Sequence, residues 1–125
     1  MAKPYGVVII SHSKDVAKGV HDIIKEIAPD VSITHAGGTE DGRIGTSFDA
    51  VNEAIESNEA NKVYTFYDLG SANKMNIETV EEISEKEIIL FNAPILEGAY
   101  ATAAQVQMDE KPEVIAANLK TIEIK

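Results

Sequence analysis

The chain has 125 residues, 44% of them hydrophobic, which suits one domain with a real core and leaves no room for two. It contains no cysteine, which excludes a disulfide framework, a thiolate nucleophile and any cysteine-ligated metal or cluster. Against 21 Asp and Glu stand 11 Lys and Arg, and the resulting charge of −10 repels phosphate backbones and anionic lipid, so no nucleic-acid or membrane partner is expected.

No apolar run is long enough to span a bilayer. Met1-Ala2-Lys3-Pro4 is not followed by the long apolar stretch of a signal peptide, so a cytoplasmic protein is expected. No repeat or linker divides the chain, and residues 1–125 read as a single domain.

Tyr5 to Ile10 is a short, β-branched, almost unbroken apolar run, as in a parallel strand buried on both faces. Ser11-His12-Ser13 follows, then a helical stripe of Val16, Val20, Ile23, Ile24 and Ile27, with Ser13 as N-cap and Pro29 as stop. Val31 to Thr34 reads as a shorter, more polar strand near an edge, and Ala36 to Gly45 as a glycine-rich loop. A helix over 46–57 carries Phe48, Val51 and Ile55, with Thr46 and Asp49 spaced for a capping box. Val63 to Tyr67 is a third strand, followed by Asp68-Leu69-Gly70-Ser71 and a helix from about Asn76 to Ser84. Ile88 to Phe91 is a fourth buried strand, and Asn92-Ala93-Pro94 leads into a helix with Leu96, Ala99, Ala103 and Val106 inward. Pro112 opens a last short helix. In the tail, Ile122 and Ile124 alternate with Thr121, Glu123 and Lys125, the period of a one-sided antiparallel edge strand.

The order predicts an α/β fold: a mainly parallel four-stranded sheet with helices on both faces, plus the C-terminal edge strand. In such sheets chemistry sits beyond the carboxyl ends of the strands. There the sequence places His12, His35, Asp68, several hydroxyls and flexible backbone. An ordinary imidazole is mostly neutral at pH 7 and is a good nucleophile toward phosphorus. A carboxylate on its other nitrogen fixes the tautomer and stabilises the charge that develops, and Asp68 is the candidate. Gly37, Gly38, Thr39, Gly70 and Ser71 could present N–H donors to phosphoryl oxygens. Taken singly, His12 reads equally well as a turn residue, while Asp68 reads more readily as an ordinary strand-end aspartate and Gly37-Gly38 as a turn; their convergence shifts the balance moderately toward the chemical reading. His21 falls on the polar helix face among Lys14, Lys18 and Lys25 and reads as solvated surface. His35 has no evident partner, and Arg43 reads as a solvated loop residue. No metal-ligand spacing and neither glycine-rich nucleotide motif occurs, so no metal and no cofactor are expected.

Four rim segments stand in order: Val8-Ile9-Ile10-Ser11-His12-Ser13, Ala36-Gly37-Gly38-Thr39-x-x-Gly42-x-Ile44-Gly45-Thr46, Tyr67-Asp68-Leu69-Gly70-Ser71-Ala72 and Ala93-Pro94-Ile95-Leu96-Glu97-Gly98-Ala99. Together they resemble the phosphotransfer subunits of bacterial dihydroxyacetone kinases, which share the mannose-type enzyme IIA fold of the phosphoenolpyruvate:sugar phosphotransferase system. The resemblance implies that His12 takes a phosphoryl group on Nε2 from the carrier HPr. It implies transfer onward to ADP held by the DhaL subunit, with the resulting ATP phosphorylating dihydroxyacetone on DhaK. It assigns Asp68 to orienting His12 and implies a homodimer in which the last strand is exchanged, with HPr supplied from elsewhere. Two alternatives stay open: a sugar-transport IIA component that passes phosphate to a IIB histidine, and a regulatory binding module in which His12 is structural.

Overall fold

The run from Tyr5 to Ser11 forms the first strand because its β-branched side chains suit a sheet interior, and Val7 to Ile10 are buried. The computed structural model describes residues 3–123. Its elements are β1 (Tyr5–Ser11), α1 (Lys14–Ile27), β2 (Ile33–Gly37), α2 (Phe48–Glu56), β3 (Lys62–Tyr67), α3 (Ala72–Ile83), β4 (Glu87–Phe91), α4 (Ile95–Gln107) and α5 (Pro112–Lys120). The sheet has four strands in the order β2-β1-β3-β4, all parallel.

Alternation along the central strands feeds two cores. Val7, Ile9, Tyr64 and Phe66 pack against Ala17, Val20 and Ile24 of α1, Ala99, Ala103 and Val106 of α4, and Ile115 and Leu119 of α5. Val8, Ile10, Val63 and Tyr67 pack against Val51, Ala54 and Ile55 of α2 and Ile77 and Val80 of α3. Helices therefore cover both faces, as the element order predicts. The chain leaves β1 through α1 toward β2, and leaves β3 through α3 toward β4, with α1 and α3 on opposite faces. The neighbouring ends of β1 and β3 thus form the crevice where such sheets place their chemistry.

Several boundaries differ from expectation. Ser13 does cap α1, its hydroxyl accepting the Val16 N–H at 3.3 Å. Within α1, Val16 and Ile23 are exposed, and Ala17 takes the inward position beside Val20 and Ile24. The cap of α2 is Ser47, which accepts the Ala50 N–H at 3.2 Å, so the expected box from Thr46 to Asp49 does not form. β2 starts at Ile33 and runs on to Gly37, because Ile9, Ile10 and Ser11 offer ladder partners to His35, Ala36 and Gly37. β4 lies at a sheet edge and leaves Ile89 and Leu90 half-buried. α3 begins at Ala72, a full turn before the expected Asn76. Thr121 and Ile122 form a turn on the end of α5, Ile122 N–H reaching Leu119 C=O at 3.1 Å. The expected edge strand is not present there, and its Ile124 and Lys125 lie outside the described residues. Among the described residues no helix is long and apolar enough to cross a membrane.

Candidate active site

β1 and β3 run side by side with Ile10 opposite Tyr67, so the next residues on each strand, Ser11-His12 and Asp68, meet at the same end of the sheet. His12 Nδ1 lies 3.1 Å from Asp68 Oδ1, with the two side chains 23% and 15% exposed. Asp68 is held from several sides. Its Oδ2 accepts the Ser11 hydroxyl at 2.5 Å and the His12 backbone N–H at 3.1 Å. Its Oδ1 also accepts the Leu69 N–H at 2.7 Å. Ser11 Oγ in turn accepts the Ser13 N–H at 3.0 Å, linking the carboxylate to the start of α1.

Burial works against ionisation of Asp68. Hydrogen bonds from the Ser11 hydroxyl, the His12 ring and the backbone N–H groups of His12 and Leu69 outweigh it and hold the carboxyl below its usual value. An ionised carboxylate can only accept, so the bond to His12 assigns the proton to Nδ1 and leaves the lone pair on Nε2. The ring is thereby a positioned nucleophile with a fixed tautomer.

Gly37 and Gly38 lie between β2 and the start of α1. A Cβ on Gly37 would stand 2.4 Å from Ser13 O and 2.9 Å from Lys14 Cα, so only glycine allows this approach. Gly38 has φ +76° and turns its N–H to Ser11 O at 3.3 Å, while Thr39 N–H donates to Arg43 O at 2.8 Å. These two donors, expected to face a phosphoryl group, are taken up by the protein's own carbonyls. Gly70, at φ +63°, and Ser71 are exposed. Ser71 occupies the N-cap of α3, its side chain making no cap hydrogen bond. The exposed Gly70-Ser71 turn thus stands two residues on from Asp68, at the start of α3.

The other titratable rim residues lie apart. Arg43 is exposed and pairs with Asp41 at 2.9 Å. His35 does have a ring partner: its centroid is 4.9 Å from that of His21. His21, expected on a solvated face, is half-buried, and both rings line a cavity of about 510 Å³ with Lys14, Glu40 and Glu53. Burial, then repulsion by His21, keeps His35 below its usual pKa. Among the described residues no group of His, Asp and Glu is placed to hold a metal ion.

Asn73 is the site residue missing from the sequence reading. It is buried, and its Nδ2 lies 3.4 Å from His12 Nδ1. The signal was a polar residue on the apolar stripe of Asn73, Ile77 and Val80, visible only if the helix starts at Ala72. Ile44, Leu69, Met75 and Leu96, in the segments that follow β2, β3 and β4, are exposed.

The family model described as PTS system fructose IIA component, EIIA-man, matches residues 6–116. The phosphoryl donor subunit DhaM of phosphoenolpyruvate-dependent dihydroxyacetone kinase 1 of Listeria innocua is 97% identical over 125 residues, covering all of both chains. The phosphotransferase subunit DhaM of the Lactococcus lactis kinase is 47% identical over 116 residues, covering 93% of this chain and 94% of that one. A crystal structure of a protein of unknown function superposes with a TM-score of 0.83 at 26% identity, covering 100% of this chain and 98% of that one.

Proposed function

This chain belongs to the EIIA-man family, and from that premise we propose that it is the phosphoryl donor subunit of a phosphoenolpyruvate-dependent dihydroxyacetone kinase. The observation that carries the proposal is the 3.1 Å contact between His12 Nδ1 and Asp68, which leaves Nε2 with its lone pair at a partly exposed rim.

Nε2 of His12 attacks the phosphorus of a phosphohistidine on HPr. The new N–P bond forms as the old one breaks, and the released electron pair returns to the HPr imidazole. Positive charge then grows on the His12 ring, and Asp68 stabilises it through Nδ1–H. In the second step an oxygen of the ADP β-phosphate, held by DhaL, attacks the same phosphorus. The P–Nε2 bond breaks and its electron pair returns to His12, leaving ATP on DhaL to phosphorylate dihydroxyacetone on DhaK. Both steps require alignment and charge stabilisation more than covalent assistance. Gly70 and Ser71 serve as phosphoryl-oxygen donors, whereas the N–H groups of Gly38 and Thr39 are already given to the Ser11 and Arg43 carbonyls. The exposed apolar residues Ile44, Leu69 and Met75 favour shallow docking to each partner in turn.

The test is incubation with phosphoenolpyruvate, enzyme I and HPr, followed by DhaL–ADP and a IIB protein offered in parallel. Labelled His12 that discharges to DhaL–ADP supports the proposal. Discharge to IIB alone replaces it with the sugar-transport reading, which the description of the matching family model favours. The homodimer belongs to the same proposal and is tested by light scattering.

A further inference from the structure

Asn73 has two features that Asp68 does not account for. It is 1% exposed, on the first turn of α3, with its amide against the His12 ring at 3.4 Å. Its Oδ1 is buried with no hydrogen-bond partner among the described residues. Buried polar atoms are almost always satisfied, and one without a partner calls for an explanation. As placed, the amide turns an N–H donor toward a ring nitrogen to which Asp68 already assigns a proton, so two donors face each other. The amide oxygen and nitrogen are interchanged by a half-turn about Cβ–Cγ, and only the hydrogen-bond network distinguishes them.

We propose that Asn73 is a positioning residue for His12: with its amide oxygen turned to the ring, it shares the Nδ1 proton with Asp68. Two acceptors on adjacent elements, the end of β3 and the first turn of α3, then fix both the tautomer and the tilt of the ring. The division of labour has a chemical use. A second carboxylate would over-stabilise the charged phosphohistidine and slow its discharge. A neutral amide steers the ring while adding no charge.

The inference rests on His12 as the phosphoryl carrier for its rate measurement alone. The test compares Asn73→Ala and the isosteric Asn73→Asp, with nitrogen-15 NMR of the His12 imidazole in the unphosphorylated protein and single-turnover phosphoryl uptake. Asn73→Ala is expected to raise the fraction of ring protonated at Nε2 and to slow uptake about tenfold, the loss of roughly one hydrogen bond. Asn73→Asp, which can accept but not donate, is expected to keep the proton on Nδ1 and to slow discharge to the acceptor. Should the alanine variant fail to fold, Asn73→Asp decides alone: a ring that shifts to the Nε2–H tautomer there contradicts the inference. Unmoved ring nitrogens in a folded Asn73→Ala overturn it as well. A wild-type chain that takes up no phosphoryl group refutes the carrier reading, and the ring spectra still decide the present one.

Discussion

Two imidazole sites flank β2 and β1, and they differ in an instructive way. The pair of His21 and His35 lines a concavity of about 510 Å³, where each ring faces another potential cation, and burial with His21 disfavours a charge on His35. His12 lies at the ends of β1 and β3, and its ring meets a carboxylate fixed by Ser11, Leu69 and its own backbone. A nucleophile for phosphorus needs one nitrogen protonated and anchored and the other free and reachable. His21 also meets a carboxylate, Asp22 at 3.0 Å, but that group is exposed and shared with Lys18, whereas Asp68 is half-buried and held by Ser11, His12 and Leu69, because two adjacent strands end in register there.

The contrast can be broken in three places. The largest effect is expected at Asp68. Asp68→Ala removes a charge-assisted hydrogen bond, which corresponds to roughly a 10- to 100-fold loss in phosphoryl uptake. Stopped-flow or quench-flow transfer from phospho-HPr measures it, and an unchanged rate would mean that the carboxylate plays no part. Acid should also weaken the fold through this residue. The Asp68 pKa is held below its ordinary 3.8, so its contribution to stability is fully present above that value and is lost as pH falls through the lower folded value.

The next effect, on stability rather than on transfer, is expected at Gly37, which lets β2 approach the start of α1. In Gly37→Ala the new Cβ would meet backbone atoms of Ser13 and Lys14, which cannot yield as a side-chain tip would. A loss of about 1–3 kcal/mol is expected from the urea midpoint, typical of overpacking. A midpoint equal to that of the parent would show that the approach is looser than described.

The smallest effect is expected at His35. Its pKa is depressed, chiefly by burial and then by His21, with Asp22 opposing and Lys18 adding slightly. The unfolded chain therefore binds this proton more readily than the folded one. The stabilisation is complete above the ordinary 6.5 and falls as pH drops below it through the folded value. His35→Gln should flatten the dependence of the urea midpoint on pH in that window and leave phosphoryl uptake unchanged. Loss of uptake in this variant would invert the comparison between the two sites.

Much of this contrast was legible in the sequence because strand interiors and strand ends differ so sharply. The buried run Val7 to Ile10 and the helix cap Ser13 locate His12 within a residue, and the run up to Tyr67 locates Asp68. What was hidden depended on neighbours. Ala17 reads weakly as a core residue beside Val16, yet the turn of α1 buries the alanine and exposes the valine. Ala36 and Gly37 look like loop until β1 offers them ladder partners. The Gly-Ser-Ala-Asn-Lys run over 70–74 has loop composition, which concealed the first turn of α3 and with it Asn73. The proximity of His21 and His35 follows from packing of α1 on the edge strand, a contact that no local pattern encodes.

The most direct test of the central claim is peptide mass mapping after incubation with phosphoenolpyruvate, enzyme I and HPr, run on the parent chain and on His12→Gln side by side. The account predicts one acid-labile, base-stable phosphoryl group on the peptide that contains His12, and none on the folded variant. A label that persists in His12→Gln, or that maps to His21 or His35, would contradict it.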